Sequence, residues 1–216
     1  MFGLCRRKIA KDYAILKTIL SLCDFSGVWS RPYAAAGYHV IQVDLKLNTD
    51  VRFFMDIGPV HGILAAPPCT AFAVSGAQYW TQKDLDGRTL EGLSIVDACM
   101  RIIMVAKPRW WALENPVGRL RRWLGPPAFT FHPYHFGDPY TKKTLLWGTF
   151  TPPTPVTLGR DWSVEPEQVC KQGSWVQRLG GLRRTTPAGL ANNERIKGLR
   201  SMTPPGFAQA FFEVNP

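Results

Sequence analysis

Ile19-Leu20-Ser21-Leu22-Cys23-Asp24-Phe25-Ser26-Gly27 is an apolar run that breaks at an acid, an aromatic and a glycine. His39-Val40-Ile41-Gln42-Val43-Asp44 soon repeats the pattern, with its acid at the end. Each reads as a strand closed by a polar turn, because a short apolar run bounded by turn residues suits a buried strand. Between them Ser30 offers an N-cap, Pro32 and Tyr33 open a short helix over Ala34-Ala35-Ala36, and Gly37 closes it. This is strand, helix, strand spacing.

The alternation continues outward. Gly62-Ile63-Leu64-Ala65-Ala66 is a further short apolar strand running into Pro67-Pro68-Cys69. From Arg88 to Ala106, Leu90, Leu93, Val96 and Ile103 recur at helical spacing and predict a long helix lying on a sheet. Trp110-Trp111-Ala112-Leu113 predicts a strand that stops at Glu114-Asn115-Pro116. Val117 to Leu124 reads as a short basic helix, and Ala128 to Phe131 and Thr144 to Phe150 as two more strands. Together these predict an α/β fold with an open, doubly wound sheet. Pro152, Pro153 and Pro155 then mark a break, and residues 151–198, rich in Pro, Gly, Arg and Thr, predict an irregular arm. The expected organisation is a core over 1–150, the arm over 151–198, and a C-terminal helix over 199–216 whose aromatics return to the core.

A chain of 216 residues holds one full domain with a real core. No apolar run reaches the roughly 18 residues of a membrane span, and Arg6, Arg7 and Lys8 are followed by no cleavage-site pattern. An intracellular, cytoplasmic protein is expected. Five cysteines without a C-x-x-C pair suggest neither a zinc site nor a disulfide framework, and His132 and His135 lack ligand partners, so no metal is expected. The net charge of +10 is uneven: fifteen Lys/Arg against seven Asp/Glu from residue 106 onward, eleven against nine before it. Arg119, Arg121, Arg122, Lys142, Lys143, Arg178, Arg183, Arg184, Arg195, Lys197 and Arg200 read either as a surface for a polyanion, with nucleic acid favoured, or as plain solvation.

In a doubly wound sheet, ligands bind beyond the C-terminal strand ends. The Asp24-Gly27 turn, Asp44, Pro67-Pro68-Cys69 and Glu114-Asn115 all fall at such ends. Two prolines fix two φ angles, so Cys69 is either presented on a stiff loop or, as free cysteines often are, packed as a small hydrophobe. Asp44 suits ribose hydroxyls or the capping of the next turn. Glu114, a carboxylate at the end of an apolar strand, is costly to desolvate unless paired or used, and burial would make it a proton donor.

Pro67-Pro68-Cys69, Glu114-Asn115, the Asp/Phe/Gly turn and the acid after the second strand together resemble the C5-cytosine DNA methyltransferase family, over residues 19–150 and again near 203–214. The chain is similar to the short, recognition-poor members found in phage and prophage genomes. The resemblance implies a class I methyltransferase sheet, S-adenosylmethionine as cofactor, DNA as partner, most simply duplex DNA, and no membrane partner. It implies that Cys69 adds to cytosine C6 and that Glu114 contacts N3 and the amine. It places Phe25, Ser26, Gly27, Asp44, Asp50, Val51, Pro67, Leu90 and Thr203 at the cofactor, and Pro68, Asn115, Lys142 and Lys143 at the substrate. The setting implied is the cytoplasm of a bacterial or phage-infected cell.

The chain departs from that pattern in five places, one of them Asp24, which stands one place nearer the Phe than normal. Trp29 stands for the usual second glycine of the first motif, Pro116 for the common valine, and Lys142-Lys143 lacks the usual glutamine and arginines. Only residues 151–198 are available where a sizeable recognition domain is usual, which leaves room for a partner that gives specificity. Free cytosine nucleotide or single-stranded DNA are alternative substrates, and a catalytically idle DNA- or partner-binding module is the alternative of another class.

Overall fold

A computed structural model describes residues 16–156, 170–172 and 194–216. Apolar residues alternate faces along the central strands, which is what a sheet covered on both sides requires. The strands are β1 (Thr18–Leu22), β2 (His39–Val43), β3 (Gly62–Ala65), β4 (Trp110–Pro116), β5 (Phe129–Phe131) and β7 (Thr144–Thr149), arranged in the order β2-β1-β3-β4-β7-β5. The β2-β1-β3-β4 pairs are parallel, and β7 joins β4 and β5 antiparallel. The fold is α/β, doubly wound and mostly parallel.

On one face Leu20, Leu22, Val43, Ile63, Ala65 and Leu113 pack with Val96, Cys99, Ile102 and Ile103 of α3 (Arg88–Ala106). On the other, Ile19, Leu64, Ala112 and Leu146 pack with Trp29, with Tyr33 of α1 (Arg31–Ala35), and with Phe207 and Phe211 of the C-terminal helix. Between these helices lie α2 (Trp80–Leu85) and α4 (Arg121–Leu124); α5 (Glu194–Ser201) and α6 (Pro205–Val214) follow. Gly62 lies opposite Trp110, and a Cβ there would come within 2.2 Å of the indole, so the bare backbone makes room for the ring.

Several elements differ from the sequence reading. Strand β4 does not stop at Leu113: its parallel ladder with β3 ends there, but β7 pairs it through Glu114, Asn115 and Pro116. The Val117–Leu124 helix shrinks to Arg121–Leu124 because residues 117–119 bond to the Cys69 loop instead. Ser30 occupies the N-cap position, yet its hydroxyl donates to the Gly27 carbonyl and makes no cap. Leu90 is 70% exposed and does not join Leu93, Val96 and Ile103 against the sheet.

Within the arm, α5 crosses the expected boundary at 198, and β8 (Cys170–Lys171) pairs in parallel with β6 (Tyr140–Thr141). The arm's residues 157–169 and 173–193, with Arg178, Arg183 and Arg184, lie outside the described residues, as do Arg6, Arg7 and Lys8. Phe207 of the C-terminal helix stacks on Phe131 at 3.9 Å between ring centroids. Among the described residues no helix is long and apolar enough to cross a membrane.

Candidate active site

Two groups of side chains lie at the C-terminal ends of the parallel strands. At the β1 end, Asp24 is buried and its carboxylate accepts from the Ser21 hydroxyl at 3.0 Å, the Ser26 hydroxyl at 2.8 Å and the Gly27 amide at 3.0 Å. Gly27 takes φ +62°, a conformation that favours glycine. Phe25, between them, is 52% exposed. Asp44 ends β2 and accepts the Lys46 amide at 2.8 Å, so its capping role is realised. Lys46 reaches back over the Phe25 ring at 5.2 Å, which joins the two loops. Asp50 is bound through both oxygens by Arg52, closest approach 2.6 Å, and this pairing lowers its pKa; Val51 beside it is buried.

Trp29, standing where a glycine was expected, is fully buried and turned away from this turn. Its ring lies 6.1 Å from Phe207 and 5.7 Å from Phe211, in the core beneath α6. The indole therefore takes no space at the turn.

The second group centres on Cys69. Strand β3 ends at Ala65, and the two prolines carry the chain to a thiol that is half-buried, with Pro67 buried and Pro68 exposed. The Cys69 carbonyl accepts the amides of Phe72 at 2.9 Å and Ala73 at 2.8 Å, closing a tight loop. Neighbouring β4 supplies Glu114 and Asn115, both buried. The Asn115 amide donates to the Pro67 carbonyl at 2.9 Å and ties the acid-bearing strand to the thiol-bearing loop.

Glu114 faces Lys142 at 3.7 Å, too long for a hydrogen bond. Its Oε1 and the Asn115 Oδ1 are buried with no hydrogen-bond partner among the described residues. An unsatisfied buried acceptor costs about 1–3 kcal/mol.

Electrostatics link the same residues. Burial pushes the Cys69 thiol up, the Glu114 carboxylate pushes it further, and Lys142 and Arg200 pull it down. Burial, Asp138 and Glu114 likewise raise the Tyr140 phenol. Lys143 is exposed, so the expected lysine pair separates, with only Lys142 facing Glu114.

No family model and no curated protein matches the chain. A solved structure similar to it is an E. coli "putative DNA modification methyltransferase encoded within prophage". The similarity has 16% identity and a TM-score of 0.40, and covers 70% of this chain. The match spans about half that structure's length, 49% of it.

The remaining expected residues are placed as follows. Ser26 is half-buried, its hydroxyl held by Asp24 and the Val28 amide. Thr203 is buried just before α6, where Gly206 donates to Asp138 at 3.0 Å. Arg121 and Arg122 are exposed, but Arg119 is buried at 4% exposure with its guanidinium bonded internally, which removes it from any polyanion-facing surface. A charged residue five positions beyond Glu114, between Gly118 and Leu120, was the available sign of this. Arg200 and Tyr140 were also not singled out as site residues, because their electrostatic links to Cys69 and Glu114 join positions far apart in sequence.

Proposed function

We propose that the chain methylates C5 of cytosine in DNA with S-adenosylmethionine, through a covalent bond between Cys69 and cytosine C6. The observation carrying this reading is a thiol beside a buried carboxylate whose Oε1 has no hydrogen-bond donor among the described residues, with Asn115 tying their two segments together. A cytosine presents an exocyclic amine and, once protonated, an N3–H, the donors such acceptors require.

The Cys69 thiolate adds to C6, forming the S–C6 bond and moving the C5=C6 electron pair toward C5 and N3. Glu114 passes a proton to N3 as negative charge builds there. Lys142 offsets the charge of the carboxylate and favours the thiolate. Once C5 carries the methyl group, the C5 proton passes to water, the C–H electron pair re-forms the C5=C6 bond as the S–C6 bond breaks and the thiolate departs, and N3 returns its proton to Glu114. The base must first leave the stack, at a cost of about a few kcal/mol.

The β1–β2 rim has the chemistry for an adenosyl group: an exposed aromatic, Phe25, a half-buried carboxylate, Asp44, and the exposed Leu45 beside it. Phe25, Ser26, Gly27, Asp44 and Val51 would hold the cofactor, Asp44 through the ribose hydroxyls. The bound cofactor supplies an electrophilic sulfonium methyl. Asp50 is engaged by Arg52 and offers the adenine its backbone only.

The test is labelled methyl transfer to duplex DNA, single-stranded DNA and deoxycytidine monophosphate, comparing the wild type with Cys69→Ala. Transfer to duplex DNA, abolished by the substitution, is the expected result. Transfer to the nucleotide alone would replace DNA with a free substrate, and transfer to none would leave an idle binding module.

A further inference from the structure

We infer that Arg119 is a positioning residue that holds the Cys69 loop in register with Glu114, an inference that rests on reading Cys69 as the nucleophile. Glu114 and Arg119 stand five residues apart on one continuous segment, and this segment grips the loop after the thiol. The Arg119 amide donates to the Phe72 carbonyl at 2.9 Å and its Nε to the Ala71 carbonyl at 3.0 Å. Val74 donates to the Val117 carbonyl at 2.9 Å, and Ala73 bridges Gly118. A Cβ on Gly118 would lie 2.0 Å from the Phe72 carbonyl oxygen, so the approach requires glycine.

The far side of the guanidinium fastens two more elements. Nη1 meets Asp84 of α2 at 2.8 Å, and Nη2 donates to the hydroxyl of Thr89 in α3 at 2.6 Å. Thr89 in turn donates to Asp84 at 2.6 Å, and the rings of Trp80 and Trp123 lie 5.1 and 6.0 Å from the guanidinium carbon. A buried charge of this kind is no efficient space filler, since an apolar side chain of equal volume avoids the desolvation cost. What the planar fork does, and an ammonium cannot, is hold several acceptors at fixed angles. It joins the nucleophile's loop, α2 and the start of α3 to the strand bearing the acid.

The experiment uses Arg119→Lys and Asp84→Asn in the full chain, the latter because Asp84 is half-exposed and its loss spares the core. Three quantities are measured: the single-turnover rate of labelled methyl transfer, the KM for S-adenosylmethionine, and the rate of iodoacetamide alkylation at Cys69 across pH. Buried Cys99 serves as an internal report of global opening. For Arg119→Lys the transfer rate should fall by about tenfold to a hundredfold, the scale of a 1 Å misplacement, with KM within about twofold. Cys69 alkylation should become faster near neutral pH, its profile moving down as the thiol is solvated, while Cys99 stays protected. Asp84→Asn should act in the same direction, more weakly. An unchanged Cys69 alkylation profile in both variants, or Cys99 opening in step with Cys69, would overturn the inference. Failure of the wild type to methylate any cytosine would instead sink the function reading.

Discussion

The β1–β2 rim and the β3–β4 rim both carry buried or half-buried acids, but they use them in opposite ways. At the first, Asp24 accepts three hydrogen bonds, Asp44 caps a turn and Asp50 is bound by Arg52. At the second, Glu114 and Asn115 each keep a buried oxygen without a hydrogen-bond partner among the described residues. Carboxylates of the first rim hold amides, hydroxyls and a guanidinium, whereas the Glu114 Oε1 of the second has no hydrogen-bond donor among the described residues. Substitutions at the first rim should therefore cost stability, and substitutions at the second should cost chemistry.

The strongest way to break this contrast is Glu114→Gln. It should lower methyl transfer by about 10²–10⁴-fold, the range of a general acid, with little change in the urea midpoint. Iodoacetamide should meanwhile alkylate Cys69 faster near neutral pH, because the carboxylate that raises the thiol is gone. Equal losses of activity and stability would erase the distinction between the rims.

Asp24→Ala is the counterpart. The Gly27 amide and two serine hydroxyls lose their acceptor, so urea unfolding should report a loss of about 1–3 kcal/mol, with cofactor affinity falling alongside it. A variant as stable as the wild type would show that the turn does not depend on this carboxylate.

The sign of the pH dependence follows from the thiol. Its folded pKa is raised, so the neutral form dominates near pH 7 and single-turnover adduct formation should climb with pH into the alkaline range. Lys142→Ala removes a charge that favours the thiolate and should move the profile further alkaline, whereas a shift to lower pH would contradict the arrangement. The smallest effect belongs to Lys143→Ala: methyl transfer within about twofold of wild type at low salt, as for an exposed charge. A larger loss would return Lys143 to the site.

The long helix Arg88–Ala106, strand β2 and the C-terminal helix were legible in the sequence because each rests on local periodicity and end signals. What escaped depends on partners far along the chain. Strand β4 continues through Glu114-Asn115-Pro116 only because β7, some thirty residues later, pairs with it. Trp29 stands where the resemblance has a second glycine, but Phe207 and Phe211 draw its ring into the core. Arg119 looked like one cation among many until the Ala71 carbonyl, Asp84 and Thr89 enclosed it. For the site, Cys69 and Glu114 were legible as strand-end residues; the separation of Lys142 from Lys143 was not, since it depends on which side chain turns toward Glu114.

The most direct test of the central claim is mass spectrometry of the protein after incubation with S-adenosylmethionine and duplex DNA containing 5-fluorocytosine, whose fluorine blocks the final proton loss. A stable adduct mapped to Cys69, absent in Cys69→Ala, is the predicted result. Methyl transfer to cytosine by the Cys69→Ala protein, or an adduct mapped to another residue, would contradict it.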